Sequence, residues 1–522
     1  MRIGRANRKG NDVNQAYTQL MERVRDVGRL GAVEQLLEWD QETYMPKKGV
    51  AARAEQSALI AGLAHEHLVA DDTRSLLDLA SGDPDDYVAE TNLRETRRAF
   101  QRAVAIPTAL VKEIARTSSL AKDTWVSARS RADFGEFAPY LETMLDLKRQ
   151  VAECVGYEGE PYDALMDEFE PGAKSAQLET LFEELRGATV ALLRRISDGG
   201  AALRPPGGLP TPSRPDASIL TRLYPVDRQA TLSRKMAEAI HFDFDSGRAD
   251  VSVHPFCTTI GGSGDVRITT RYNERFLSAG LFGTLHETGH ALYEQGLLPE
   301  YEATPMGQAV SLGIHESQSR LWENMVGRSR AFWKYHWKGL QTVFAEALGD
   351  VTQEGFYRAI NTVRPTLIRV EADELTYNLH IIVRFEIERA LLSKTLTVRD
   401  VPAAWNAKMT DCVGVTPAND REGCLQDVHW SMGIFGYFPT YALGNLYAAQ
   451  FFEQANKDIP DLAERMAIND HQTLLDWLRI HIHCHGQRYR AGELVEHVTG
   501  EPLSIQPFVR YVTEKFAAVY EL

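Results

Sequence analysis

At 522 residues the chain exceeds a typical single core, so two lobes or one large helical body are expected. Its composition is that of an ordinary globular protein, 44% hydrophobic and 25% charged, and a formal net charge of −15 argues against nucleic acid or an anionic membrane as partner. Five cysteines (Cys154, Cys257, Cys412, Cys424, Cys484) without metal-type spacing, no apolar segment behind Met1–Arg5 and no run of 18 apolar residues point to a soluble, cytoplasmic protein with reduced thiols.

Residues 1–12 are polar and expected to be loose. Val13, Tyr17, Leu20, Val24 and Val27 then form one helical stripe. A second run through Val33, Leu36 and Leu37 reaches Trp39-Asp40, and Met45-Pro46 ends it. Further helices are expected over 51–69, 86–105, 108–130, 135–155 and 174–197. The Pro- and Gly-rich stretch 199–216 forbids helix and marks a connection. A helix near 226–241 follows, and then the texture changes. Val251–Phe256 and Val266–Thr270 read as strands around a turn at Gly261–Gly264, giving one small sheet over 250–270. An edge strand there could bind extended substrate through its main chain, with Asp265, Arg267 and Thr269 as the candidate segment. The alternative is a structural hairpin with Asp265 and Arg267 paired on its surface.

Just beyond lies His286-Glu287-x-x-His290, an H-E-x-x-H pattern. Residues four apart on a helix differ by about 40° in rotation and roughly 6 Å in height, so both imidazoles share a face and can grip one zinc ion. Glu287 can sit beside the metal's open position and take a proton from water. Gly289 costs about 1 kcal/mol relative to Ala in a helix interior, which a need for a small residue beside the site would explain.

A catalytic zinc needs a third protein ligand. A continuation with Gly at 293 and His at 296 is excluded, because Tyr293 and Gly296 occupy those positions. Glu294 shares the face but lies about 12 Å along from His286. Glu300 and Glu302 fall in a short Pro-flanked loop, a poor support. Glu316 lies in 312–322, which reads as a second helix, and is the expected third ligand, with Glu323 in reserve.

More helices are expected over 328–348, 353–361 and 371–392, with Arg369 opening the last. Its planar fork suits a free substrate carboxylate; an ion pair with Asp373 is the alternative. His429, Tyr437 and Tyr441 can donate to a developing oxyanion, or simply pack in the core. His481-x-His483-x-His485 has the look of a metal cluster, but only the outer two would share a helix face.

Taken together, His286-Glu287-x-x-His290, His315-Glu316-Ser317-Gln318, Asp265-x-Arg267-x-Thr269, Ile368-Arg369-x-x-Ala372-Asp373 and Gly423-x-x-Gln426-Asp427-x-His429-Trp430 resemble the M32 metallocarboxypeptidases, the carboxypeptidase Taq family. Weaker likeness reaches the ends through Trp39-Asp40 and Thr499–Leu503. The resemblance implies a mostly α, two-lobed body with a central groove, a small sheet beside the metal helix, and metal-site helices within 280–326 of a single 1–522 unit. It names His286, His290 and Glu316 as ligands of one zinc per chain, with cobalt a possible substitute, and Glu287 as the catalytic carboxylate. It also implies a homodimer, broad specificity on peptides with a free C-terminus, and a poor response to C-terminal proline.

Other readings use the same residues. A zinc oligopeptidase would share the site and lack the carboxylate anchor. A di-iron carboxylate oxidase would pair Glu287-x-x-His290 with Glu238-x-x-His241 and leave His286 idle. A structural metal site would need a fourth ligand, and none is visible.

Overall fold

The computed structural model describes residues 3–81, 86–202 and 215–522. The chain is predominantly helical, with one three-stranded sheet. Helices occupy most of the expected ranges: Val50–Val69, Tyr87–Ala105, Thr108–Arg131, Phe134–Val155, Val226–Ala239 and Gln353–Ile360. The two runs read at the start are one helix, Ile3–Thr43, which also includes most of the polar stretch expected to be loose. Gly28 does not break it, because this glycine is where the helix meets the loop at Ala303; a Cβ there would lie 2.9 Å from the Ala303 Cβ. The helix Ser175–Ala202 runs past Gly199, while 203–214 of the expected connection lies outside the described residues.

Two of the later helices differ from expectation. The 328–348 range splits into Arg330–Val343 and Ala345–Leu348 at Phe344. The helix expected from 371 begins only at Tyr377 and runs to Leu392, so Arg369 sits instead in a 3-10 turn, Arg369–Glu371.

The sheet consists of β1 (Gly247–Val251), β2 (Cys257–Thr259) and β3 (Val266–Thr270) in the order β1-β3-β2. β1 runs parallel to β3 with Gly247 opposite Val266, and β2 runs antiparallel with Cys257 opposite Ile268. Of the expected strand over Val251–Phe256 only Val251 is in a strand, as the last residue of β1; 252–256 is a loop, where Pro255 has no N–H for a ladder. β3 is therefore the central strand, and β1 and β2 are the two edges.

One large core unites most of the chain, including Trp322, Trp333 and Trp405, each fully buried. A separate small core of Leu20, Met21, Leu77, Leu93 and Phe100 holds the N-terminal helices together, as expected for a lobe of its own. Trp39 fixes that lobe to the sheet, with the guanidinium of Arg267 at 4.3 Å and that of Arg248 at 4.9 Å from its ring. Among the described residues no helix is long and apolar enough to cross a membrane.

The helix that carries Glu316, Leu312–Arg320, continues into a π-helical turn, Leu321–Val326. Such a turn frees carbonyls from the regular ladder. The Asn324 carbonyl accepts from Tyr511 Oη at 3.0 Å and Lys515 Nζ at 3.3 Å, both on the helix Gln506–Tyr520.

Candidate metal centre

The helix Leu277–Gly296 turns Leu281, Leu285 and Leu292 into the main core and Ala291 toward the sheet, leaving His286, Glu287 and His290 along the remaining face. Gly289 marks its crossing with Leu312–Arg320: a Cβ there would lie 2.6 Å from Ser319 Cα and 2.7 Å from the Gln318 carbonyl. The two backbones touch, which accounts for a glycine inside a helix. The second helix is capped twice, by Ser311 Oγ on the Ile314 amide (3.1 Å) and by buried Glu170 on the Gly313 amide (3.0 Å). Gly444, on the helix Phe438–Asp458, lets a third backbone press against Glu316, whose Cβ would be 2.6 Å from a Cβ there.

Glu316 Oε2 consequently faces both imidazoles, 3.7 Å from His286 Nε2 and 3.4 Å from His290 Nε2. These residues form the one group of three among the described residues whose ligand atoms lie within 4.8 Å of one another. Two nitrogens and one carboxylate oxygen at that spacing fit a divalent zinc-type ion with one position left open.

A second tier orients the first. His286 Nδ1 lies 3.0 Å from Glu323 Oε2. His290 Nδ1 meets His315 Nδ1 at 2.5 Å, and His315 Nε2 meets Glu294 Oε1 at 2.8 Å. Arg320 Nε donates to Glu316 Oε1 at 2.6 Å. Burial alone would raise the Glu316 carboxyl, but Arg320 and the two histidines hold it well below the usual range. Glu287, beside them and buried, is pushed up to about 7, chiefly by burial and with Glu316 and Glu323 adding to it. Burial brings His290 down to about 3, so its ring is neutral and available as a ligand.

A further cluster adjoins this centre. Buried Arg369 donates from Nε (3.0 Å) and Nη2 (2.9 Å) to Asp427 Oδ1 and from Nη1 to the Tyr377 hydroxyl (2.8 Å). Arg384 Nε donates to the other Asp427 oxygen at 2.7 Å. Two guanidiniums thus share one carboxylate, leaving a positive charge in the triad uncompensated. His429 Nε2 lies 3.4 Å from the Tyr441 hydroxyl, and its Nδ1 is buried without a partner among the described residues. Tyr437 stacks edge-on against Tyr441, with ring centroids 5.2 Å apart. Burial, then nearby Glu316, raises the Tyr437 phenol to about 12, so it is a donor at neutral pH.

A sequence profile described as carboxypeptidase Taq (M32) metallopeptidase matches residues 19–516. The chain belongs to this family. Thermostable carboxypeptidase 1 of Thermus thermophilus is 47% identical over 518 residues, 97% of this chain and 99% of that protein. Carboxypeptidase 1 of Bacillus subtilis is 38% identical over 489 residues, 93% of this chain and 95% of that protein. Among solved structures, the M32 carboxypeptidase from Deinococcus radiodurans aligns with a TM-score of 0.92 at 40% identity, covering 97% of this chain and 100% of that one. This M32 chain is accordingly a metallocarboxypeptidase.

Measured against expectation, the M32 chain brings the ligand atoms of His286, His290 and Glu316 together, with Glu287 buried on the same helix and the reserve ligand Glu323 at His286 Nδ1 instead of among them. Arg369 pairs with Asp427, not Asp373; Asp373 instead accepts from the Leu375 and Thr376 amides. The Asp265–Thr269 segment cannot offer an open edge, because β3 is flanked on both sides. Its side chains are committed as well. Arg267 donates twice to Asp265 at 2.8 Å and lies over Trp39, and fully buried Thr269 bonds Ser252 Oγ at 2.7 Å. Glu238 pairs with Arg234 on the surface, away from any metal-type group. The triple histidine diverges: His481 packs on Trp477, His485 on His497, and buried His483 bonds Gln318 at 3.0 Å.

Sequence reasoning passed over Arg320, Arg384, Tyr377 and the His315–Glu294 pair. Arg320 stands four residues after Glu316, a spacing that signals an ion pair. Nothing in the local sequence of Tyr377 or Arg384 brings them to Arg369.

Proposed function

We propose that this M32 chain removes C-terminal residues one at a time from peptides of broad sequence, using a single zinc ion held by His286, His290 and Glu316. The observation that carries the reading is the convergence of those three donors within 4.8 Å, with Glu287 buried beside them. Cobalt, which accepts the same ligands, is a possible substitute. An ion held by these three residues would supply Lewis-acid chemistry, polarising a peptide carbonyl and making a water easier to deprotonate. Glu287, raised toward neutrality, takes the proton from that water and returns it to the leaving amine. His429, kept neutral by burial, donates toward the oxygen that becomes negative, together with Tyr437 or Tyr441.

Arg369 is the proposed anchor for the substrate's carboxylate, because its triad with Arg384 and Asp427 has a net positive charge awaiting an anion. The extended substrate main chain is assigned to the edge strand β2 in place of β3. Thr259, on β2, donates to Glu294 at 2.9 Å, which places this edge beside the metal helix. We further propose a cytoplasmic homodimer of single 1–522 units with no membrane or nucleic-acid partner, in line with the net charge of −15.

The test is a mass-spectrometric time course on one peptide prepared with a free and with an amidated C-terminus, run beside metal analysis. A ladder of single-residue losses from the free form, one zinc per chain and slow attack on the amide are expected. Internal fragments formed equally from both peptides would make the enzyme an oligopeptidase.

A further inference from the structure

We propose that Tyr377 is a positioning residue with two separable tasks: its hydroxyl sets the carboxylate-binding arginine, and its ring supports the metal-ligand glutamate. The inference rests on the reading of Arg369 as anchor and Glu316 as ligand given above, and extends it to a residue with no part in either role so far.

Tyr377 is the first residue of the helix Tyr377–Leu392 and only 5% exposed. Its hydroxyl accepts from Arg369 Nη1 at 2.8 Å. The other hydrogen-bonding contacts of that guanidinium converge on one oxygen, Asp427 Oδ1, about which it could pivot beside the Tyr441 ring 5.0 Å away. The phenol supplies the second fixed point, on the opposite edge of the fork. Asp427 cannot supply it, because its other oxygen is taken by Arg384. The phenol's own hydrogen has no acceptor among the described residues, so it is free to donate to an anion drawn to Arg369.

The ring does something different. The Arg320 guanidinium lies 4.2 Å from its centroid, and Arg320 Nε grips Glu316 Oε1 at 2.6 Å. Holding Oε1 leaves Oε2 turned to His286 and His290. Arg320 has one further anionic contact, a long 3.4 Å approach to Glu323, so the aromatic face is its principal support on that side. A single side chain therefore fixes the distance between the anchor for a carboxylate and the ligand of the ion that acts one peptide bond away.

The two tasks separate by substitution. Tyr377→Phe removes the hydroxyl and keeps the ring: KM for a free-carboxylate peptide is expected to rise about ten-fold, with zinc affinity within about two-fold of wild type by chelator competition. Tyr377→Leu removes both, and zinc affinity is expected to fall about ten-fold as well. Arg320→Lys gives a second route to the metal task if the leucine variant does not fold, since a point charge keeps the ion pair and loses the planar stack; a similar loss of zinc affinity is expected. An unchanged KM in Tyr377→Phe overturns the hydroxyl's task. Zinc bound as tightly as in wild type by the folded leucine variant, or by Arg320→Lys if the leucine variant is not recovered, overturns the ring's task. Failure of the underlying reading looks different, because it shows in the wild type as equal cleavage of free and amidated peptide, or as no bound zinc.

Discussion

His286 and Glu323 are joined through Nδ1 and Oε2 at 3.0 Å, on the side of the imidazole away from Glu316. The carboxylate therefore orients the ring and is turned away from the proposed ion position at Glu316. Glu323→Ala should weaken zinc binding by about ten- to a hundred-fold and leave one site per chain, the usual loss for an outer partner of a metal histidine. Glu316→Ala should abolish tight binding. Dialysis against zinc with elemental analysis separates the two, and the reverse ranking would exchange their roles.

Glu287→Gln should retain the ion and lose turnover by at least about a thousand-fold, because an amide cannot accept a proton from water. A metal-replete glutamine variant with substantial activity would remove Glu287 from this role.

Amidating a peptide's C-terminus should lower kcat/KM by about ten- to a hundred-fold, the worth of one charge-assisted hydrogen bond of roughly 1.5–3 kcal/mol. Arg369→Ala should lose as much on the free peptide and scarcely distinguish the two forms. An alanine variant that still discriminates would place the anchor elsewhere. Arg267, next in line on sequence grounds, is already bound by Asp265 and Trp39.

Gly289→Ala gains about 1 kcal/mol of helix propensity, yet places a methyl against two backbone groups that cannot turn aside. Overpacking of this kind costs about 1–3 kcal/mol or more, and the only relief is to part the two ligand helices. Thermal unfolding should show a lowered Tm, and zinc affinity should fall with it. A variant as stable and as tight as wild type would mean that the crossing is looser than its geometry.

Acid should destabilise the fold through a second histidine pair. His336 and His471 stack 6.0 Å apart, and burial lowers them to about 4 and about 3. The unfolded chain, with histidine near 6.5, then binds protons first, so their contribution is complete above about pH 6.5 and is lost as pH falls toward the folded values. The titratable neighbours of His471 are His336, His241 and Asp470, with Asp470 alone favouring the proton. His471→Leu should reduce the slope of stability against pH between about 4 and 6 by up to about 1.4 kcal/mol per unit. Urea midpoints at several pH values measure this, and parallel slopes would refute it.

The residues proposed to hold the ion were legible because their spacing is set by one helix and its neighbour: a step of four from His286 to His290, and a carboxylate on a following helix. The strand pattern was legible in kind but not in order. Alternation marks Val266–Thr270 as a strand, yet whether it is central or at the edge depends on Gly247–Val251 folding alongside, which no local signal carries. The helix Phe438–Asp458 went unread because it is buried on nearly all sides and so shows no amphipathic period. Arg369 was found and its partner was not, because Asp427 is 58 residues away and joins it only in the folded chain.

The π-helical turn after Glu316 has a bearing on synthesis. Its freed carbonyl at Asn324 is held by Lys515, 191 residues further along. At about 5–20 residues per second, a ribosome would take roughly 10–40 s between making the two. Throughout that interval the stretch bearing Glu316 and Glu323 exists without its last support. A nascent chain would then acquire its ion-binding helices well before it could hold them rigid, and competence would arrive late and abruptly, with the closing helix.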